Sequence, residues 1–172
     1  AGSAASPLVI FKPNWNKIRI GESITMSCDV EPAALYYKWY HNNRLIALSK
    51  EYAISFARTE DSGDYWCSTN IRSEKITLSV INSPLILQAP VLIYRGEDVS
   101  LRCHSHPKYS VHGTIFYKVD NFILRSLSDP NINVLSNNSD VSGRYKCNRI
   151  LSRGEYVQYT DEVSLHVRGN SS

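Results

Sequence analysis

Apolar and polar residues alternate along most of the chain with a period of two. The alternation is clear in residues 23–28, 99–103, 75–80 and 162–167, and residues 35–40 form an aromatic run followed by the turn signal Asn-Asn. This period is typical of half-buried β-strands. Since no window shows a 3.6-residue apolar period over a helical length, we predict an all-β protein.

Two pairs of segments repeat along the chain. The sequence GESITMSC at residues 21–28 matches GEDVSLRC at residues 96–103, and SGDYWC at residues 62–67 matches SGRYKC at residues 142–147. Self-similarity at an offset of this size indicates two homologous units in tandem. The second unit is a few residues longer between its two matching segments.

The repeat and the Asn-Ser-Pro segment near Pro84 set the expected domain organisation. We expect the first domain to span residues 7–83 and the second to span residues 84–168. Residues 1–6 are small and featureless, so a tag or disordered tail is expected there, and residues 169–172 form a second tail.

The chain has four cysteines, Cys28, Cys67, Cys103 and Cys147. They form two pairs separated by 39 and 44 residues, and none has C-x-x-C spacing. Such widely spaced pairs indicate one disulfide in each unit and an oxidising, extracellular compartment. A zinc site is the weaker alternative.

The residues around the first cysteine pair predict a specific fold. Trp39 follows Cys28 by 11 residues, and Tyr65 precedes Cys67 by two. This is the pattern of an immunoglobulin sandwich, in which the indole packs on the disulfide and the tyrosine hydroxyl bonds back to the chain at a corner.

The second unit departs from this pattern at two positions. No tryptophan follows its first cysteine, so Phe116 is expected to occupy the core position of the indole, while Tyr145 keeps the tyrosine corner. Val141 stands where the first unit has Asp61. At about 80 residues each, the units fit the constant-type, seven-strand sandwich rather than the nine-strand variable type.

Composition and motifs exclude several functions. The net charge is only +3, with 19 basic and 16 acidic residues and no basic block, so nucleic acid is not an expected partner. No apolar run approaches the roughly 18 residues of a membrane span. The chain has no nucleophile elbow, phosphate-binding glycine loop or zinc-protease motif, so we expect neither an enzyme nor a cofactor.

Three segments carry a resemblance to a known family. They are residues 13–18 with the following Gly21-Glu22, residues 85–90 (LILQAP) and residues 101–105 (LRCHS). With them the chain resembles the paired ectodomain of leukocyte Fc receptors and Fc receptor-like proteins from Pro7 to Val167. The first segment is similar to the opening strand of an IgE receptor alpha chain.

The resemblance implies a cell-surface immune receptor that binds the Fc region of an antibody, mainly through domain 2 and the interdomain hinge. The implied contacts lie in residues 106–112, 117–125 and 148–155, the last taken as the loop between the final two strands. The candidate ligand-binding residues are Pro84, His106, Lys108, Tyr109, His112, Tyr117, Phe122, Arg125, Arg149, Ile150, Leu151 and Arg153. A membrane signalling subunit is an implied further partner.

Two departures keep other ligands open. Fc binders of this family clamp an Fc proline between two tryptophans, and those positions are Pro84 and His106 here. An aromatic clamp is a strong binding hot spot. The alternatives are an Fc receptor-like protein with a non-antibody cell-surface ligand and an adhesion module of the immunoglobulin superfamily.

The remaining features have both plain and functional explanations. Three histidines lie close together in sequence, at His104, His106 and His112. They are solvated loop residues or a pH-sensitive contact, and a metal site is the weakest of the alternatives. The aromatic residues around Trp39 are expected to pack in the core or on the sheet. Asn137 and Asn170 begin glycosylation sequons, which fit an extracellular protein.

Overall fold

The computed structural model describes residues 5–118, 121–126, 131–134 and 141–169. The chain divides into two compact units, Ala1–Asn82 and Ser83–Ser172, here called domain 1 and domain 2. Each is described by itself.

Domain 1 is a sandwich of two sheets. Its strands are β1 (Leu8–Lys12), β2 (Lys17–Arg19), β3 (Ile24–Asp29), β4 (Lys38–His41), β5 (Arg44–Ala47), β6 (Glu51–Ile54), β7 (Gly63–Ser68) and β8 (Ile76–Ile81). The first sheet has the order β1-β3-β6 and the second has the order β2-β8-β7-β4-β5. A 3-10 turn at Thr59–Asp61 precedes β7, and β2 pairs with β8 in parallel.

Domain 2 repeats this plan. Its strands are β9 (Leu85–Gln88), β10 (Ile93–Tyr94), β11 (Val99–Ser105), β12 (Ser110–Lys118), β13 (Asn121–Ser126), β14 (Asn131–Val134), β15 (Gly143–Ser152), β16 (Tyr156–Leu165) and β17 (Val167–Arg168). One sheet has the order β14-β11-β9 and the other β13-β12-β15-β16, while β10 pairs with β17 in parallel.

The predicted tandem immunoglobulin-like sandwiches are confirmed, with one refinement. Counting the first strand of each domain as one strand in two segments, and β17 as the continuation of β16, gives seven strands a domain. The fourth strand pairs with the third in both domains, β5 with β4 and β13 with β12. A constant-type sandwich has its fourth strand in the sheet opposite the third strand, so here the sheet that carries the second cysteine of each domain is the wider one.

Both predicted disulfides are present and lie in the cores. Cys28 joins Cys67 with a Cα–Cα distance of 6.0 Å, and Cys103 joins Cys147 at 6.1 Å. All four side chains are fully buried. A disulfide that closes a loop of this length stabilises a small domain by roughly 3–4 kcal/mol in the chain-entropy model.

Phe116 takes the place of the missing tryptophan in domain 2. In domain 1 the buried Trp39 lies opposite Cys67 in the β4–β7 register, and its Nε1 donates to the Lys50 carbonyl at 3.2 Å. In domain 2 the buried Phe116 lies opposite Cys147 in the β12–β15 register. The expected core position is therefore confirmed, without the indole hydrogen bond.

Both tyrosine corners form as predicted. The Tyr65 hydroxyl donates to the Asp61 carbonyl at 2.6 Å, and the Tyr145 hydroxyl donates to the Val141 carbonyl at 2.7 Å. Burial raises the pKa of the Tyr65 hydroxyl, and the charge of Asp61 adds to this shift. Because the corner needs only a backbone carbonyl, Val141 serves as well as aspartate.

The aromatic run at residues 35–40 is only partly a strand. The strand β4 begins at Lys38, and the preceding loop leaves Leu35 94% and Tyr36 69% exposed. Tyr37 is buried, and its hydroxyl accepts a hydrogen bond from the Ala34 backbone at 3.1 Å. The expectation of core or sheet packing therefore fails for Tyr36, because that residue lies in the loop.

Candidate ligand-binding surface

One turn and one hairpin end lie side by side at one end of domain 2. The turn at residues 106–109 connects β11 to β12, and residues 153–155 connect β15 to β16. In the β12–β15 register, Ser110 lies opposite Ser152 and Val111 opposite Leu151. This register places the predicted segments 106–112 and 148–155 next to each other.

The turn is held by backbone hydrogen bonds. The Tyr109 N–H donates to the His106 carbonyl at 3.0 Å, and the Lys108 N–H donates to His106 Nδ1 at 2.9 Å. The His106 N–H donates to the Pro84 carbonyl at 2.8 Å. Pro84 and His106, predicted from separate parts of the sequence, are therefore direct neighbours within domain 2.

Three rings form an aromatic cluster beside this turn. The His106 and Tyr109 ring centroids are 6.1 Å apart, those of Tyr109 and Tyr159 are 6.3 Å apart, and both contacts are edge-to-face. Such geometry is favourable for aromatic pairs. All three residues are partly exposed, and Tyr109 and Tyr159 also pack against the domain core.

The Tyr159 hydroxyl stays neutral at physiological pH. Desolvation raises its pKa, and the neighbouring Tyr109 hydroxyl adds to the shift through charge and hydrogen bonding. A neutral phenol donates and accepts hydrogen bonds. The cluster therefore offers uncharged polar groups next to aromatic surface.

A second cluster surrounds His112. Its Nε2 lies 2.6 Å from the Ser152 hydroxyl, and its ring centroid lies 4.7 Å from that of Tyr156. The register of β12 shifts between Val111 and Thr114, and Gly113 in this bulge has φ +138°, which favours glycine. The bulge accommodates an extra residue beside the hairpin end, where His112 is exposed.

Burial removes two of the predicted contact residues. The strand β15 continues to Ser152, so residues 148–152 are not a loop. Along it Leu151 is fully buried and Arg149 is 4% exposed, because both side chains alternate onto the core face with Cys147. The prediction of these two residues as direct ligand contacts is wrong in this structure.

Arg149 instead holds the end of the sandwich together. Its Nε donates to the Thr114 hydroxyl at 2.8 Å, and one terminal nitrogen donates to the Ser105 hydroxyl at 2.8 Å. Thr114 belongs to the same sheet as Arg149, whereas Ser105 ends β11 of the other sheet and leads into the turn. The guanidinium therefore links both sheets beneath the aromatic cluster.

The accessible part of the hairpin is more apolar than the sequence analysis indicated. Ile150 is 41%, Tyr156 72% and Val157 41% exposed. Lys108 and Arg153 are also exposed at its edge. Tyr156 is predicted as an apolar part of the site, whereas Val157 and Tyr159 are not predicted, although the β15–β16 register places them opposite Leu151 and Arg149.

The predicted contacts on β12 and β13 lie farther along the sheet. Tyr117 is partly exposed and lies opposite Lys146 and Phe122 in the strand registers. Phe122 and Arg125 belong to β13, but their side chains lie outside the described part of the molecule. The sequon residues Asn137 and Asn170 also fall outside the described residues.

No group of three histidine, cysteine or acidic side chains among the described residues is arranged to hold a metal ion, and His106 and His112 make separate contacts. In the described ranges, no helix has the length and apolarity needed to span a membrane.

The fold defines a protein of two tandem immunoglobulin-like domains, each with one disulfide. Two curated proteins are similar to it over nearly its whole length. The low-affinity immunoglobulin gamma Fc region receptor III-A of cat is 26% identical over 98% of this chain and 69% of its own length. The low-affinity immunoglobulin gamma Fc region receptor II-b of human is 30% identical over 100% of this chain and 58% of its own length. The mouse receptor II is 28% identical over 100% of this chain and 54% of its own length. The chain is thus similar over nearly its whole length to low-affinity immunoglobulin gamma Fc region receptors.

The chain spans between 54% and 69% of the length of these three relatives. No family model matches it. Among solved structures it is similar to the human OSCAR ligand-binding domain, with a TM-score of 0.47, 16% identity, and 95% of this chain and all of that one covered. It is also similar to the second Ig-C2 domain of human Fc-receptor like A, with a TM-score of 0.39, 24% identity, and 44% of this chain and 96% of that one covered.

Proposed function

We propose that this chain is the extracellular part of a cell-surface immune receptor that binds the Fc region of an immunoglobulin. The observation that carries the proposal is the similarity over the whole chain to curated proteins named as IgG Fc region receptors. IgG is therefore the first class to test. A membrane-embedded signalling subunit belongs to the same proposal.

The proposed binding surface is the end of domain 2 formed by residues 106–112 and 150–157, with Pro84. Its centre is the cluster of His106, Tyr109 and Tyr159, and its edge carries exposed cationic side chains at Lys108 and Arg153. Aromatic centres with polar rims are the usual anatomy of binding hot spots.

The tyrosines offer a replacement for the missing tryptophan clamp. His106 and Pro84 stand at the two clamp positions, and their backbones are hydrogen-bonded to each other at 2.8 Å. Tyr109 contacts His106 and continues into Tyr159. We therefore expect an apolar Fc side chain to contact this tyrosine pair rather than to insert between two indoles.

The proposal is tested by surface plasmon resonance with immobilised IgG Fc and single variants of the chain. Tyr109→Ala and Tyr156→Ala should each weaken binding by at least about tenfold, as expected for a hot-spot side chain. Leu48→Ala is the control, since Leu48 is a large apolar residue of domain 1 that is 70% exposed. Equal affinities for all three variants and the unchanged chain would place the Fc contact elsewhere.

A non-antibody ligand is the second candidate. The observation that favours it is the replacement of both clamp tryptophans, at Pro84 and His106. It predicts that the properly disulfide-bonded chain binds no immunoglobulin class, while the same domain 2 surface binds a different cell-surface protein.

A further inference from the structure

The outer surface of the second sheet of domain 1 carries two stacked aromatic rings. Tyr40 on β4 lies opposite Trp66 on β7, with ring centroids 4.0 Å apart and planes 9° from parallel. Their strand neighbours Trp39 and Tyr65 point into the core, so alternation directs Tyr40 and Trp66 outward. Both rings remain partly exposed.

Arg72 also lies over the indole ring. Its guanidinium carbon lies 5.0 Å from the Trp66 ring centroid, a cation–π contact. The loop that carries it is anchored at the buried Ser73, whose N–H donates to the Cys67 carbonyl at 2.7 Å and whose hydroxyl accepts from the Cys67 N–H at 3.0 Å. The cation is therefore positioned by the backbone.

The charges around this stack favour an anionic partner. Arg72 is exposed, and none of the ion pairs found among the described residues includes it. Lys38 is exposed two residues before Tyr40, on the same face. Asp64 is an acidic residue on this face, and its Oδ1 accepts a hydrogen bond from the Thr77 hydroxyl at 2.6 Å.

Leu45 adds apolar area beside the aromatic pair. It lies opposite Tyr40 in the β4–β5 register and is 49% exposed. We call the surface formed by Lys38, Tyr40, Leu45, Trp66 and Arg72 the basic aromatic face. It combines an apolar, aromatic centre with a cationic rim, which is the composition of a protein-binding surface.

We propose that the basic aromatic face of domain 1 is a second interaction site, which binds an acidic segment of another protein. The guanidinium of Arg72 can donate two parallel hydrogen bonds to a carboxylate while it stays stacked on Trp66. Apolar side chains flanking that carboxylate would pack on Tyr40 and Leu45.

Two other occupants fit the face less well. Tyr40 stacks on the Trp66 ring with centroids 4.0 Å apart and the Arg72 guanidinium carbon lies 5.0 Å from the ring centroid, so these contacts compete with stacking of the indole against a sugar. A second copy of the chain would bring two cationic rims together, and like charges facing each other across an interface are unfavourable.

The test is a nuclear magnetic resonance titration of the isotope-labelled chain with a capped pentapeptide of alternating glutamate and leucine. The same peptide with glutamine in place of glutamate is the neutral probe. We expect the Trp66 indole N–H and the Arg72 guanidinium signals to shift saturably with the acidic peptide, while the buried Trp39 indole does not move. Added salt should weaken the binding.

Two variants locate the site. Arg72→Gln should weaken binding of the acidic peptide about fivefold, the upper range for one exposed ion pair. Arg58→Gln is the matched control, because Arg58 is an exposed arginine of the same domain, next to the 3-10 turn.

Three results would overturn the proposal. The first is an equal response to the neutral peptide, and the second is an equal loss of affinity in both arginine variants. The third is binding of sialyllactose without binding of the acidic peptide, which would identify the face as a site for acidic glycans. The domain 2 surface takes no part in this titration, so its outcome is independent of Fc binding.

Discussion

Replacing Arg149 by methionine separates a structural role from a ligand contact. Methionine keeps an unbranched apolar side chain in the buried position but cannot donate to the hydroxyls of Thr114 and Ser105, which now accept at 2.8 Å each. Hydrogen bonds from a charged donor contribute about 1.5–3 kcal/mol each. The guanidinium is also costly to bury, which offsets much of that contribution.

The net expectation is that Arg149→Met lowers the free energy of unfolding of domain 2 by about 2 kcal/mol. For a domain of this size the midpoint of thermal unfolding should fall by about 10 °C. Differential scanning calorimetry measures this, with Arg153→Met as the control. Since Arg153 is exposed, its replacement should change the free energy of unfolding by less than about 0.5 kcal/mol.

An unchanged melting temperature for Arg149→Met would refute the assignment of Arg149 as a link between the sheets. If Fc binding were lost at the same time, the side chain would be a direct contact, as the sequence alone suggested. If stability falls and binding falls in proportion to the unfolded fraction, Arg149 is structural only.

Three further changes test the packing and charges of the sandwiches. Tyr145→Phe removes the buried hydrogen bond to the Val141 carbonyl and should cost domain 2 about 1–2 kcal/mol in urea unfolding, with domain 1 unaffected. Phe116→Ala should cost the same domain about 3–5 kcal/mol, because a large buried ring beside the disulfide is lost. Hydrogen bonds from Arg144 and Lys146 lower the pKa of Glu162 below its ordinary value of 4.5, so its stabilising contribution is present above that pH and is lost as the pH falls through the lower folded value. Glu162→Gln should therefore reduce the loss of stability as the pH falls below that ordinary value, measured by urea unfolding at each pH.

The sandwich folds were predictable because their determinants are local and repeated. The two cysteine pairs, the tyrosine two residues before the second cysteine, and the alternating strands each act within one domain. Even the substitution of Phe116 for tryptophan followed from the position of its strand. The fourth strand of each domain pairs with the third strand, not with the first sheet as a constant-type sandwich predicts. Which sheet it joins depends on contacts at the sheet edges, and the alternation of apolar residues does not determine those contacts.

The candidate site was predicted less well, for identifiable reasons. The sequence predicts a loop at residues 148–152, although their alternation with Cys147 continues the strand. A buried arginine breaks the apolar pattern at Arg149, and its hydroxyl acceptors lie 35 and 44 residues away in sequence. The pairing of Tyr109 with Tyr159 is equally nonlocal, so spacing alone could not reveal the aromatic cluster.

The central proposal is tested most directly by surface plasmon resonance of the unchanged, disulfide-bonded chain over whole immunoglobulins of each class, and over their Fc and Fab fragments. We expect saturable binding to the Fc of one class, with IgG tested first, and none to the matching Fab. The absence of binding to every immunoglobulin class, measured with protein in which both disulfides are formed, would contradict Fc recognition and favour a different cell-surface ligand.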